Sequence, residues 1–381
     1  MKTDEYGVQY SDDGKILLDF PKELEGEYII PDGVEVIESC ALYAYHVSLR
    51  PKLSSLRISK SVTEIGYSAG FKWLDSIIID EGNPVYDSRA NCNAIIETKT
   101  NKLLVASKHA FIPDGVKIIG ERAFDETYEE SKLYIPASVE EIDEQSFDGT
   151  AVGYIEVDKS NKFFDSRDNC NAIIETKTNR LVLGSTHSVI PNGVCSIGVG
   201  AFENCRGIEK LVIPESVYSI EEFAFESAQI GELYIPKSVE QIYLQAFAGN
   251  EIERIFVDSE NQSYYVQGNC VVSRGTARLK FTGLNYEIPR GVKIIGSFSL
   301  TARDNGAIVI PDGVEEIMAQ AFLVESGKLR LKLPSSVKLI YSLFLSEDRV
   351  EEIVVPKGQK ERFSRMKFLA HVKHLIVEAE E

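Results

Sequence analysis

The sequence has no long hydrophobic run and no excess of positive charge. No stretch approaches the roughly 18 apolar residues of a membrane-spanning helix, so membrane insertion is not expected. Acidic residues outnumber basic ones by 59 to 41 among 381 residues, which gives a net charge of −18. Because this charge repels phosphate groups, we expect neither nucleic acid nor an anionic membrane surface as a partner.

The first 20 residues also lack the apolar core of an export signal. At face value the chain is therefore expected in the cytoplasm. If its N-terminus has been trimmed, the expectation changes to the cell surface or the secreted fraction.

Cysteine and histidine are scarce, with six and five residues, and no CxxC pair occurs. The spacing does not suit zinc, and the thiols are expected to be reduced, buried and apolar in behaviour. There is also no P-loop, no dinucleotide-binding glycine motif, no HExxH and no EF-hand loop. We therefore expect no metal site and no cofactor.

What the sequence does contain is one phrase repeated eleven times: an apolar pair, Pro, two turn residues, Val, two residues, Ile and, a few residues on, Ala-Phe. Successive copies lie 22 or 23 residues apart, or one such step plus an insertion. A period of this length is typical of leucine-rich repeats. One copy has Ser59 in place of Pro. The other copies are marked by Pro31, Pro113, Pro136, Pro191, Pro214, Pro236, Pro289, Pro311, Pro334 and Pro356.

Each part of the phrase has a physical role. The residues before Pro alternate in polarity, as in Leu133-Tyr134-Ile135, which predicts a strand with one buried face. Pro ends the strand because it has no N–H for the ladder, and we place it at the second position of a turn. The residue two after Pro is Gly in some copies and Ser in others, which favours a type I turn without positive φ. Val and Ile then face inward, and Ala-Phe fills the far side of the coil.

The longer steps contain related insertions. Residues 80–109 and 158–187 agree at 19 of 30 positions, a looser copy lies near 258–284, and a fourth begins at Gly7. Each has two short apolar runs around polar turn residues, which predicts a β-hairpin. We therefore divide the chain into an N-terminal hairpin cap at 1–27, a solenoid at 28–355 and a C-terminal cap at 356–381.

The phrase I-P-x-x-V-x-x-I-x-x-x-A-F, from about Gly7 to Val377, resembles the BspA-like class of bacterial leucine-rich repeats. The insertion block from Asp87 and from Asp165 also resembles an element of such proteins. The resemblance implies a mainly β repeat solenoid, an arc of about eleven coils with a parallel sheet interrupted by hairpins. It also implies a binding role: members are described as adhesins or interaction proteins that bind host matrix or other bacteria.

The exposed strand position two residues before Pro is the candidate binding face, since solenoids bind on their concave sheet. Aromatic residues there suit a peptide or a sugar, although such residues also simply stabilise a sheet. The candidate ligand-binding residues are Arg57, Phe111, Tyr134, Val212, Tyr234, Glu287 and Lys332.

The predicted function is a non-enzymatic, adhesin-like module that binds a protein or a glycan, host extracellular matrix included. The alternative is a structural spacer or intracellular scaffold without a small-molecule ligand. The segment 66–70 matches G-x-S-x-G of α/β-hydrolases, but Gly66 and Phe71 fill repeat positions there. We interpret that match as structural and expect no catalytic residue.

Overall fold

The computed structural model describes residues 1–39, 41–42, 52–66, 71–124, 132–147, 150, 152–303, 306–341, 347–367 and 369–379. The described chain is a mainly β, parallel solenoid of about 15 turns with few helices. Its contacts divide it into two units, Met1–Lys177 and Thr178–Glu381. The solenoid class predicted from the repeats is confirmed.

The first kind of parallel sheet contains the strands that end at the turn of each coil; these are called the long strands. They alternate buried and exposed side chains, as the sequence predicts. In the first unit they form a three-stranded and a two-stranded sheet; in the second unit they form a three-stranded and a four-stranded sheet. The long strands of the first unit are Glu25–Ile29, Lys52–Ile58, Ser76–Ile79, Lys132–Ile135 and Tyr154–Val157. Those of the second are Ile208–Val212, Gln229–Ile235, Glu251–Val257, Ala307–Val309, Leu329–Lys332, Val350–Val355 and Ile376–Glu378.

A second kind of parallel sheet contains two-residue strands, called the short strands, which end at the Ile after each turn. Those of the first unit are Val36–Ile37, Glu64–Ile65, Ile118–Ile119 and Glu141–Ile142. Those of the second unit are Ser196–Ile197, Ser219–Ile220, Gln241–Ile242, Ile294–Ile295, Glu316–Ile317 and Leu339–Ile340. Two further strands, Leu300–Ala302 and Phe322–Val324, pair with each other.

The insertions are β-hairpins whose last strand joins the short-strand sheet in parallel. Each insertion therefore adds a turn, and the predicted number of about eleven coils is too low. The hairpin strands are Lys2–Thr3, Gln9–Tyr10, Ile16–Asp19, Tyr86–Asp87, Ala94–Glu97, Lys102–Ala106, Phe164–Asp165, Ile173–Glu175, Arg180–Leu183, Tyr264–Gln267, Cys270–Ser273 and Arg278–Thr282.

Among the described residues, helical structure is limited to short segments. The α-helix Lys360–Ser364 precedes the final strand and buries Phe363. Single 3-10 turns are Arg89–Asn91, Arg167–Asn169, Glu347–Arg349 and Ala370–Leu375.

The Ala-Phe pair of the phrase lies in the core, as predicted. In the second unit Phe202, Phe225, Phe247 and Phe281 stack in a continuous ladder with ring centroids 5.1, 4.9 and 3.9 Å apart. Phe225 is fully buried between two of these rings. Near-parallel stacking of rings from successive coils joins each coil to the next along the solenoid.

The turn prediction is only partly right. Val34 donates its N–H to the Pro31 carbonyl, so Pro is the first and not the second residue of the turn. Gly33 and the equivalent glycines have φ near +100°, so these copies need the left-handed region that Gly enters without strain. Where a Ser copy follows a Gly copy, the Ser hydroxyl accepts the Gly N–H of the preceding coil, as in Gly33 to Ser61 at 2.9 Å. Ser138, Ser216 and Ser336 accept the same bond.

An asparagine at the start of each internal insertion holds the preceding turn through hydrogen bonds; Asn261 is buried, and Asn83 and Asn161 are half-buried. Asn261 donates to the carbonyls of Pro236 and Val239 at 2.7 and 3.1 Å, and it accepts the N–H groups of Ser263 and Tyr264. Asn83 and Asn161 make the same four bonds in the other two insertions. The repeat phrase alone does not predict these hydrogen bonds.

Candidate functional site

The predicted binding residues are divided between strands and loops. Arg57, Tyr134, Val212, Tyr234 and Lys332 lie on long strands. Phe111 and Glu287 lie outside the strands, and their N–H groups bond instead to Cys92 and Gly268 of their own hairpins. Five of the seven residues therefore lie on strands of the described structure, and two do not.

Only Val212 and Tyr234 of the seven share a sheet. Arg57 lies between Ile29 and Ile78 and forms an ion pair with Asp80. Tyr134 lies beside Glu156 in the other sheet of the first unit.

Lys332 lies between Val309 and Val354 in the four-stranded sheet. Glu287 and Val309 line a cleft of about 490 Å³, which also contains Thr301 and Arg303. The Arg303 guanidinium in this cleft forms an ion pair with Glu325.

The most organised of these surfaces is the outer side of the three-stranded sheet in the second unit. Two rows of paired residues cross it, Lys210–Glu232–Arg254 and Val212–Tyr234–Phe256. We call these six residues the aromatic face. One row alternates in charge and the other is apolar and aromatic, so the face offers both apolar contact and directional polar groups.

Tyr234 lies at the centre of the aromatic face and is held on several sides. Its ring stacks on Phe256 with centroids 4.5 Å apart and planes 10° apart. The ammonium of Lys210 lies 4.6 Å from the ring centroid, close enough for a cation–π contact. Its hydroxyl donates to Glu232 at 3.0 Å, and this bond raises the pKa of Tyr234. Glu232 also pairs with Arg254, so its carboxylate joins the Tyr234 hydroxyl to the Arg254 guanidinium.

A similar hydroxyl–carboxylate bond joins Tyr134 to Asp158 in the first unit and raises the pKa of Tyr134 to about 12. The sheet there has only two strands, and no aromatic residue stacks on Tyr134 among the described contacts. Tyr234 therefore has a stacked aromatic neighbour, and Tyr134 has none among the described contacts.

Sequence reasoning missed Phe256, and with it Ile78 and Glu156 at the same strand position. Each ends a coil in which Asp80, Asp158 or Asp258 replaces Pro and opens an insertion. These Asp residues donate their N–H to the preceding strand, which Pro cannot do. An apolar-x-apolar-Asp run before each hairpin was the signal that could have found them.

The described residues show no group of three or more His, Cys, Asp or Glu side chains that could hold a metal ion. Among the same residues, no helix is long and apolar enough to cross a membrane. The G-x-S-x-G match lies mostly outside the described residues, which include only Gly66 of that segment.

Four cysteines are expected to resist alkylation in the folded protein. Burial raises the pKa of Cys92 and Cys170 to about 11 and that of Cys205 and Cys270 to about 12, so little thiolate forms at about pH 8. Cys195 is partly exposed. Brief iodoacetamide treatment followed by peptide mapping should label Cys195 before these four.

The control for this experiment is the same treatment in guanidinium, which should label all of these thiols. Labelling of Cys270 as fast as Cys195 in the folded protein would contradict the burial described here.

Comparison with protein families decides the class. The model described as the BspA type leucine rich repeat region matches in six copies, over residues 96–180, 182–273 and 279–371. The chain belongs to the BspA-type leucine-rich repeat family. Membership in this BspA-type family indicates a protein-interaction module and a non-catalytic repeat scaffold.

Several solved structures resemble this BspA-type chain. A leucine-rich repeat protein from Eubacterium ventriosum ATCC 27560 is 14% identical, with 83% of this chain and 81% of that chain covered and a TM-score of 0.43. A leucine rich cell surface protein from Faecalibacterium prausnitzii A2-165 is 16% identical, with 100% and 95% covered and a TM-score of 0.36. The pneumococcal vaccine antigen PcpA is 14% identical, with 100% and 98% covered and a TM-score of 0.45. At these identities and TM-scores, the similarity indicates nothing about the ligand or partner of this chain. A comparison with curated proteins gives no match.

Proposed function

We propose that this chain is a non-enzymatic, adhesin-like interaction protein that binds a protein or a glycan on the aromatic face. The observation that carries the proposal is the Tyr234–Phe256 stack, set beside the charged row Lys210–Glu232–Arg254 on a parallel sheet. Host extracellular matrix proteins are the partner class we favour.

The chemistry of the face supports binding. Val212 is 52% exposed and Phe256 is 38% exposed, although both are large apolar residues. Aromatic and Arg side chains are enriched among the residues that dominate binding energy at protein interfaces. Flat rings beside polar groups also suit the apolar face and the hydroxyls of a sugar.

The fixed geometry of Tyr234 supports the same proposal. The contacts with Phe256, Lys210 and Glu232 restrict its side chain before binding. Ordering a mobile side chain at an interface costs about 0.5–1.5 kcal/mol, and a pre-ordered residue avoids much of that cost. The net charge of −18 further favours a partner with a basic surface, because complementary charge speeds association.

The experiment is a binding screen of the purified chain against immobilised host matrix proteins and a glycan array. It is run beside the double variant Tyr234→Ser, Phe256→Ser. The matched control is Tyr218→Ser, Tyr243→Ser, which removes two exposed tyrosines of the same unit that lie beside the short strands. We expect a hit that the first variant loses by at least about tenfold, which corresponds to about 1.4 kcal/mol, and that the control retains.

A hit that survives Tyr234→Ser, Phe256→Ser would contradict binding on the aromatic face. A blank on both panels would contradict the adhesin-like role and favour the structural spacer or scaffold.

A further inference from the structure

The last strand of each internal hairpin carries a basic residue at one equivalent position. Lys102, Arg180 and Arg278 are the residues that pair in register with Ile118, Ser196 and Ile294 of the next turn. All three side chains pass over a glycine of that turn: Gly120, Gly198 and Gly296. The three hairpins therefore place a cation in the same setting and can be compared directly.

In the first two hairpins a carboxylate of the chain neutralises this cation. Lys102 Nζ lies 2.7 Å from Asp143, and Arg180 Nη2 lies 2.6 Å from Glu221. Both carboxylates follow the Ile of the second short strand after the hairpin. Because these four side chains are only 22–33% exposed, the pairs are more than loose surface contacts.

In the third hairpin the carboxylate is missing. The residue after the equivalent Ile317 is Met318, whose thioether is at most a weak acceptor and carries no charge to pair with Arg278. Arg278 Nε is buried and has no hydrogen-bond partner among the described residues. Glu316 lies on the same row, two strands away, and no ion pair joins it to Arg278 in the described structure.

The third hairpin also carries a second cation, Lys280, beside Arg278. Lys280 occupies the position that Leu104 and Val182 hold in the other hairpins, on the same side of the strand as Arg278. Burial, with the nearby Arg278 charge as a smaller cause, lowers the pKa of Lys280. An arrangement that loses an acid and gains a base costs stability unless an anion from elsewhere compensates it.

We propose that Arg278 and Lys280 form a binding site for a carboxylate side chain of a partner protein. The matched hairpins identify the chemistry, because a side-chain carboxylate fills the same place in both. Arg recognises carboxylate through parallel N–H donors, and Lys280 adds a second charge. The proposed carboxylate site lies on the sheet of hairpin and short strands and not on the aromatic face. An experiment can therefore contradict one of the two proposals without contradicting the other.

The test uses the full chain and a fluorescein-labelled peptide of alternating Glu and Gly, with the corresponding Gln-Gly peptide as the uncharged probe. Fluorescence anisotropy is measured at about 0.15 M salt, where the chain's net charge is screened beyond about 8 Å. We expect the Glu peptide to bind at least about tenfold more tightly than the Gln peptide, since hydrogen bonds to charged groups are the stronger ones.

Three variants make the test specific. Met318→Glu should supply the missing internal partner and abolish the preference, whereas Met318→Gln, of the same shape but uncharged, should retain it. Glu221→Met should leave Arg180 unpaired and raise the number of Glu peptides bound per chain. Circular dichroism checks that each variant is folded.

The proposal is overturned if the native chain shows no preference for the Glu peptide. It is also overturned if Met318→Glu retains that preference, or if Met318→Gln loses it as completely as Met318→Glu does.

Discussion

Replacing Phe225 with Ala is expected to lower the free energy of unfolding by about 3–5 kcal/mol, the usual range for truncating a buried Phe. Phe225 is fully buried, and its ring contacts Phe202 on one side and Phe247 on the other at 5.1 and 4.9 Å. The variant therefore leaves a cavity and removes two stacked pairs at once.

The effect should be large because a repeat protein is stabilised chiefly by contacts between neighbouring repeats. Losing Phe225 weakens the contact of its coil with both neighbours, so the loss is not confined to one turn. The measurement is urea unfolding followed by circular dichroism. Tyr218→Ser is the control, since an exposed side chain typically contributes within about 0.5 kcal/mol. Equal losses for the two variants would show that the Phe ladder is not the core of this unit.

Replacing Asn261 with Ala is expected to cost about 3 kcal/mol or more. The side chain is 1% exposed and satisfies two backbone carbonyls and two backbone N–H groups. Each buried polar group left without a partner costs about 1–3 kcal/mol, and water entering the space would recover part of this.

The adjacent Gln262→Ala is the matched control, because Gln262 is exposed and its only described bond is local. Chemical unfolding of the two variants, measured side by side, gives the difference. A cost for Asn261→Ala below about 1 kcal/mol would mean that the clamp between insertion and coil is not needed for stability.

Much of the fold could be predicted because the phrase repeats with a physical meaning. Alternating polarity before Pro predicts the long strands, and Ala-Phe at a fixed step predicts that Phe225 is buried. The number of turns could not be read from the phrase, since a hairpin strand such as Lys102–Ala106 joins the short-strand sheet without any Pro-Val-Ile signature. The hydrogen bonds from Asn261 to Pro236 and Val239 could not be predicted, because they depend on tertiary contact and not on local sequence pattern.

The strand placement of the candidate residues could be predicted only in part. Counting back from Pro found Val212 and Tyr234, which lie side by side. The same rule selected Phe111 and Glu287, which follow hairpins and bond to them instead of to the long strands. It passed over Phe256, because Asp258 replaces Pro at the end of that coil. An insertion therefore displaces the next long-strand position, and this displacement is visible only once the hairpin pairing is known.

The most direct test of the account is a cross-linking measurement at Val212, an exposed neighbour of Tyr234 on the aromatic face. Val212 is replaced by the photoreactive residue benzoylphenylalanine, and Tyr218 is replaced in a parallel variant. Each variant is irradiated with a matrix protein or glycan that the native chain binds. We predict a cross-linked product from position 212 and none from position 218. A product from position 218 with none from position 212 would contradict binding on the aromatic face.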